Sequence, residues 1–281
     1  MAHDSNLEGK TILVTGSTDG VGRLVARRLA GAGARVLVHG RDRGRGEQVL
    51  EQISADGHGS ALFLPADFSA LAEVRRLADA VRQHCDRLDV LINNAGIGSG
   101  GPAATRQTSQ DGYELRFAVN YLAGYLLTRL LLPLLQLGKP ARIVNVSSLG
   151  QHPIDFDDVM LTRGHSGGRA YGQSKLAQIM FTFDLAREFV PTIITANCLH
   201  PATYMATTMV RQLGVTPIST VEQGAEAILK LAVAPELARS SGEFYNGLQP
   251  SRANAQAYDE DARERLRLLS MRLTGTSGSL P

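Results

Sequence analysis

Six short apolar runs alternate with amphipathic stretches of helical length, and no other feature constrains the fold of this chain as much. The runs at 11–15, 35–39, 61–65, 89–92, 142–146 and 193–198 are bounded by turn residues and read as buried strands. Stretches 21–32, 43–55, 71–84, 110–137, 170–189 and 221–234 carry apolar residues at helical spacing. Repeated strand–helix units demand parallel strands joined by right-handed helical crossovers. The expected fold is therefore α/β, one doubly wound parallel sheet flanked by helices. A short strand at 243–245 would finish the sheet. Leu266, Leu269 and Leu273 predict a packed terminal helix over 259–273, with a frayed tail at 274–281. No Pro/Gly/Ser-rich linker interrupts the pattern, so residues 1–281 read as a single domain. The longest irregular stretch is 150–168, and a connection of that length inside a domain is usually functional or mobile.

Composition narrows the function. Hydrophobic residues make up 43% of the 281, enough for a packed core, and the formal charge is only +2. That balance argues against a nucleic-acid binder working through a basic surface. Cys85 and Cys198 are the only cysteines, which excludes a disulfide framework or a Cys-rich zinc site. His39, His152, His165 and His200 lack ligand spacing, so no metal is expected. The start of the chain carries no apolar leader, and Arg129 and Pro133 interrupt the apolar stretch 121–137. The expectation is a cytoplasmic protein without a membrane span. Only 4 of the 29 basic residues are lysines, at 10, 139, 175 and 230, so each lysine is informative.

The first strand runs into Thr15-Gly16-Ser17-Thr18-Asp19-Gly20-Val21-Gly22, and a helix follows at once. Glycine at 16 permits a tight turn, at 20 a close backbone approach to a pyrophosphate, and at 22 close helix–strand packing. The helix N-terminus adds free N–H groups and a partial positive charge. This is the context a dinucleotide turn needs, and it makes the sheet Rossmann-type. The second strand ends His39-Gly40-Arg41-Asp42. Arg41 stands where a 2′-phosphate would lie, and its planar fork suits phosphate. Arg23, Arg43 and Arg45 could assist. NADP(H) is the expected cofactor, with NAD(H) the lesser alternative because Asp42 is one residue late for the ribose role.

Taken together, these motifs resemble those of the short-chain dehydrogenase/reductase family over roughly residues 7–275. The cofactor turn at Gly16, Ser17, Asp19, Gly20, Val21 and Gly22 is similar to the family's. Asp67 and Phe68 resemble its adenine contact, and Asn93-Asn94-Ala95-Gly96 its segment after the fourth strand. Tyr171-Gly172-Gln173-Ser174-Lys175 resembles its Tyr-x-x-x-Lys, Ser148 its catalytic serine and Asn120 its helix asparagine. The resemblance implies a nicotinamide-dependent oxidoreductase with Asn120, Ser148, Tyr171 and Lys175 as catalytic residues. It also implies that Asn94, Ala95, Gly96, Tyr171, Lys175, Pro201 and Thr203 help to bind the cofactor. The interval of 23 residues from Ser148 to Tyr171, with Ile154-Asp155-Phe156-Asp157-Asp158 inside it, resembles the retinol dehydrogenase and protochlorophyllide reductase-like branch. Ala202, where the family usually has Gly, implies a shifted nicotinamide-side loop.

The chemistry explains the residue types. Reducing a ketone leaves an alkoxide that needs a proton, and a free phenol with pKa near 10 is slow to exchange at neutral pH. Tyr171 and Lys175 are i,i+4 on one helix face, so the cation can lower that value. Ser148 can polarise the carbonyl, and Asn120 could hold a water linking Lys175 to solvent. Segments 98–107, 151–169 and 204–214 are expected to cover the substrate. Their Ile154, Phe156, Met160, Leu161, Tyr204, Met205, Met209 and Leu213 point to an apolar ketone, aldehyde or secondary alcohol. Cys198 reads as a core residue, and Asp155, Asp157 and Asp158 as solvation of a surface loop. Family members often dimerise through the helices here at 110–137 and 170–189, which implies a homodimer or homotetramer unless the insertion obstructs it. Two other readings stay open: an NADP-binding regulator or scaffold without chemistry, and a C=C reductase of the same fold.

Overall fold

Strand β1 (Thr11–Val14) is an interior strand of an eight-stranded sheet. After it come α1 (Gly20–Gly31), β2 (Arg35–Gly40), α2 (Arg43–Asp56), β3 (Ser60–Pro65), α3 (Leu71–His84) and β4 (Val90–Asn93). The second half contains α4 (Ala123–Leu137), β5 (Ala141–Val146), α5 (Gly167–Glu188), β6 (Ile194–His200), α6 (Thr208–Gln212) and α7 (Val221–Val233). It closes with β7 (Phe244–Asn246), β8 (Gln249–Ser251) and α8 (Glu260–Thr274). These coordinates are a computed structural model, and it describes residues 6–101, 104–191 and 193–276.

The strand order is β3-β2-β1-β4-β5-β6-β7-β8, parallel except for the β7–β8 pair. This is the doubly wound α/β sheet that the alternation predicts. Its reversal point lies between β1 and β4, so ligands are expected beyond the carboxyl ends of those strands. β1, β4 and β6 are buried along their whole length because helices cover both faces. Leu13, Leu37 and Leu91 face a core shared with α3, α4, α5 and α8. Ile12, Val36 and Ile92 face the core under α1, α2 and α7. The two-residue side-chain period of each strand divides the apolar residues between these layers.

Three expectations need correction. The helix predicted from 110 does not start there. Gly112 adopts φ +83°, and Thr108 and Glu114 form an isolated antiparallel bridge around a turn. Asp111 in that turn accepts the Leu71 N–H at 2.9 Å, supplying a cap that Ala70 cannot give α3. Helical structure begins at Leu115 and passes through a π-helical turn, Phe117–Leu122, into α4. The 21 residues of Phe117–Leu137 are long and apolar enough to cross a membrane, but most of this helix is buried inside the fold. The expected fraying at 274 also fails. Thr274 is buried and its Oγ1 donates to Ser270 O at 2.7 Å, while Gly275 ends α8 in the left-handed region. Residues 277–281 lie outside the described ones. The third correction concerns the insertion before α5. It is clasped to the rest of the chain: Ile154 and Gln256 exchange two hydrogen bonds of 2.6 and 3.1 Å, and Arg265 lies over the Phe156 ring at 4.5 Å. Asp158 is buried rather than solvated. It accepts from the backbone N–H of Thr162 and Arg163, which holds its carboxyl down at about 2.

Candidate active site

One cleft of about 1670 Å³ runs along the carboxyl ends of β1, β2, β4, β5 and β6. Its cofactor half is built around close backbone approaches. A Cβ on Gly16 would lie 2.7 Å from Ala95 Cα, and one on Gly22 would lie 2.3 Å from Gly16 O. Gly16 and Gly20 also have φ of +63° and +53°, where other residues are strained. Asn94 Nδ2 donates to Thr15 O and Gly16 O at 2.9 and 3.0 Å, pinning the turn to the segment after β4. The first turn of α1 opens onto this cradle.

The predicted cofactor residues fall into two groups. Gly16, Asp19, Gly20, Val21, Gly22, Arg41, Asp67, Phe68, Asn94, Ala95, Gly96, Pro201 and Thr203 all line the cleft. Ser17 does not. Its side chain is fully buried, with Oγ donating to Val14 O at 2.7 Å and accepting the His39 N–H at 3.0 Å. Thr18 lines the cleft instead. Asp19 caps α1 and meets Arg45 at 3.4 Å. Asp42 caps α2 by accepting the Arg45 N–H at 3.0 Å, so its carboxylate is committed to the helix start.

Sequence reasoning missed His39 as a member of this site. It is 3% exposed and stacked on Phe68, with ring centroids 4.3 Å apart. Gly16 N–H donates to its Nδ1 at 3.1 Å, so Nδ1 must hold a lone pair. Nε2 then carries the hydrogen and donates to Ala66 O at 3.2 Å. Burial holds this neutral imidazole's pKa down at about 4. The available signal was a polar residue directly after the apolar run 36–38 of β2.

The reactive half is assembled by β5, α5 and the π-helical turn. Ser148 follows β5, and its Oγ accepts the Gly150 N–H at 3.0 Å. The Cβ position of Gly150 is 3.4 Å from Ser148 Oγ and 3.5 Å from Tyr171 Cε1, so serine and phenol flank one glycine. Burial raises the Tyr171 phenol above its ordinary value, and a hydrogen bond with Ser148 opposes this. This corrects the expected lowering by Lys175. The ammonium is 5.8 Å from the ring centroid, and it donates to Val146 O and Gln178 Oε1, both at 2.9 Å. Burial lowers the Lys175 pKa to about 7.

Asn120 has a structural role that its sequence position did not reveal. Its Oδ1 accepts the Ile97 N–H at 2.7 Å, and its Nδ2 donates to Ile97 O and Ser174 Oγ at 3.1 and 2.9 Å. The side chain therefore fixes the segment after β4. Ala202 does not take positive φ. Tyr204, at φ +45°, is the left-handed residue of that loop. On the substrate side, Leu149, Tyr204, Met205, Met209 and Leu213 line the cleft. Ile154 and Leu161 do not, because they are buried in the fold, and Phe156 and Met160 pack against the same core. Cys198 is a core residue whose thiol burial pushes up to about 12.

A glycine cradle at the reversal point of a doubly wound sheet, facing a Ser–Tyr–Lys cluster, defines a nicotinamide-dependent oxidoreductase site. Residues 10–217 match the family model described as short chain dehydrogenase, and the chain belongs to that family. It falls in the retinol dehydrogenase-like branch. It is 35% identical to human retinol dehydrogenase 13, over 96% of this chain and 86% of that protein. It is 34% identical to human retinol dehydrogenase 14, over 92% and 84%. Among solved structures it is similar to an uncharacterized protein from Mycobacterium paratuberculosis, with TM-score 0.79 and 28% identity over 98% of this chain and 96% of that one. It is also similar to the Pseudomonas aeruginosa RhlG/NADP active-site complex, with TM-score 0.69 and 30% identity over 88% and 97%.

Proposed function

We propose that this oxidoreductase uses NADP(H) to interconvert an apolar ketone or aldehyde with its alcohol, with Tyr171 as the proton donor and acceptor. The observation that carries this reading is that Ser148, Tyr171 and Lys175 line the same cleft as the glycine cradle and Arg41. The glycine cradle is consistent with a dinucleotide, since a Cβ at Gly16 or Gly22 would strike backbone. Gly16, Gly20 and the first turn of α1 would hold its phosphates, and Lys175 and Asn94 its nicotinamide half. When bound, the nicotinamide supplies or accepts the hydride. Ser148 donates a hydrogen bond to the substrate oxygen and polarises the carbonyl. Tyr171 Oη gives its proton to that oxygen as negative charge develops there. Solvent reprotonates the phenolate that remains.

Preference for NADP(H) rests on Arg41, which is exposed at the cleft edge. Its would-be competitor Asp42 is occupied as a helix cap. The apolar substrate class rests on Leu149, Met205 and Met209, together with the names of the retinol dehydrogenase relatives. An NADPH-oxidation screen across apolar ketones and aldehydes tests the reading. Turnover of several apolar carbonyls is expected, and turnover confined to small charged substrates would refute it.

A further inference from the structure

The substrate-side wall of the cleft contains residues 98–101, Gly-Ser-Gly-Gly, and has no intrinsic stiffness. A buried charge cluster grips it from below. Arg116 is 4% exposed, and its Nε donates to Gly98 O at 3.0 Å and its Nη2 to Ser99 O at 2.7 Å. Its Nη1 meets Glu114 Oε1 at 3.3 Å. The other Glu114 oxygen accepts the Phe117 N–H at 2.8 Å and so caps the π-helical turn. The insertion closes the cluster from the far side. His165 Nε2 lies 3.6 Å from Glu114 Oε1, and a Cβ on Gly167 would lie 1.9 Å from Ser99 O. Arg116 and Asn120 are i,i+4 on one helical face, so that face holds residues 97, 98 and 99 in succession.

We infer that Arg116, oriented by Glu114 and approached from the insertion by His165, is a positioning residue that sets the substrate wall of this enzyme. A buried ion pair is a costly way to staple a loop, and a neutral amide could satisfy one carbonyl. Only the planar guanidinium bonds two successive carbonyls and a carboxylate together. Met209 packs directly on the wall, with the Cβ position of Gly98 3.0 Å from Met209 Cγ. At its other end, the Cβ position of Gly96 is 3.5 Å from Lys175 Nζ. Loosening residues 98 and 99 would thus misplace the substrate against Tyr171 and leave the phosphate turn at Gly16 unchanged.

This inference rests on the oxidoreductase reading for its kinetic arm, and a second arm is independent of activity. The variants are Arg116→Lys, the charge-free pair Glu114→Gln with Arg116→Gln, and His165→Asn, which leaves the ion pair intact should the others misfold. Hydrogen–deuterium exchange should quicken in residues 97–101 of the charge-free pair and stay unchanged in residues 16–22. The apolar-carbonyl KM should rise at least about tenfold, with NADPH affinity held within about twofold. Arg116→Lys should fall between this and the native protein, and His165→Asn should shift KM in the same direction by less. Unchanged exchange at 97–101 overturns the inference, as does a parallel loss of NADPH affinity and kcat that marks general destabilisation. If the native protein reduces no carbonyl, the functional reading fails and the exchange arm alone decides this one.

Discussion

The backbone N–H of Gly16 donates to Nδ1 of His39 at 3.1 Å, tying the glycine turn after β1 to the end of β2. The same imidazole donates to Ala66 O and stacks on Phe68, so one neutral ring joins the carboxyl ends of three strands. Protonation would place a hydrogen on Nδ1 against the Gly16 N–H and break the tie.

Stability should therefore fall with acidification. The His39 pKa is depressed to about 4 in the fold, against 6.5 for the free side chain. Its stabilising contribution is complete above about pH 6.5 and is lost as pH falls toward about 4, because the unfolded chain takes up the proton first. His200, held down at about 4 by burial and then by the Lys175 charge, adds a loss in the same window. Each contributes at most roughly 1.4 kcal/mol per pH unit. Urea unfolding between pH 7 and 4 measures the slope, and His39→Gln should flatten it. An unchanged slope in that variant would show that His39 does not titrate as inferred.

Cofactor choice should depend on Arg41. Losing a charge-assisted contact to the 2′-phosphate costs roughly 1.5–3 kcal/mol. Arg41→Ala should therefore raise the KM for NADPH by about 10- to 100-fold and leave that for NADH within about twofold. Initial rates with both cofactors read this directly, and equal effects on the two would remove the assignment.

Lys175 predicts the alkaline limb of reduction. Burial lowers its pKa to about 7, so the cation beside Tyr171 is present below that pH and lost above it. The kcat/KM for carbonyl reduction, which reports on the free enzyme, should fall as pH rises through about 7. Lys175→Arg, whose guanidinium stays charged, should move that limb upward in whatever activity remains. A pH profile with the same limb in both proteins would assign it to another group.

The sheet was legible because its inner parallel strands are short apolar runs buried on both faces, β1, β4 and β6 along their whole length, a pattern that needs no knowledge of partners. The glycine turn and the Tyr171–Lys175 spacing were legible for a similar reason, since both are local. What stayed hidden depends on contacts distant in sequence. Ser17 looks like a turn residue, and only the position of β2 shows that its hydroxyl is buried against His39. The insertion's Ile154 looks like a pocket residue until Gln256 of the C-terminal segment is seen to clasp its backbone. Asp111 looks like part of a helix until it is seen capping α3, 40 residues away.

Replacing Tyr171 with Phe is the most direct test of the proposed proton transfer. The variant keeps the ring and the fold and removes only the hydroxyl. With an apolar carbonyl found in the screen, NADPH oxidation by Tyr171→Phe should fall by roughly 10²- to 10⁴-fold, while NADPH binding stays within about twofold of the native protein. Retention of substantial turnover under these conditions would contradict the role of Tyr171 as the proton donor.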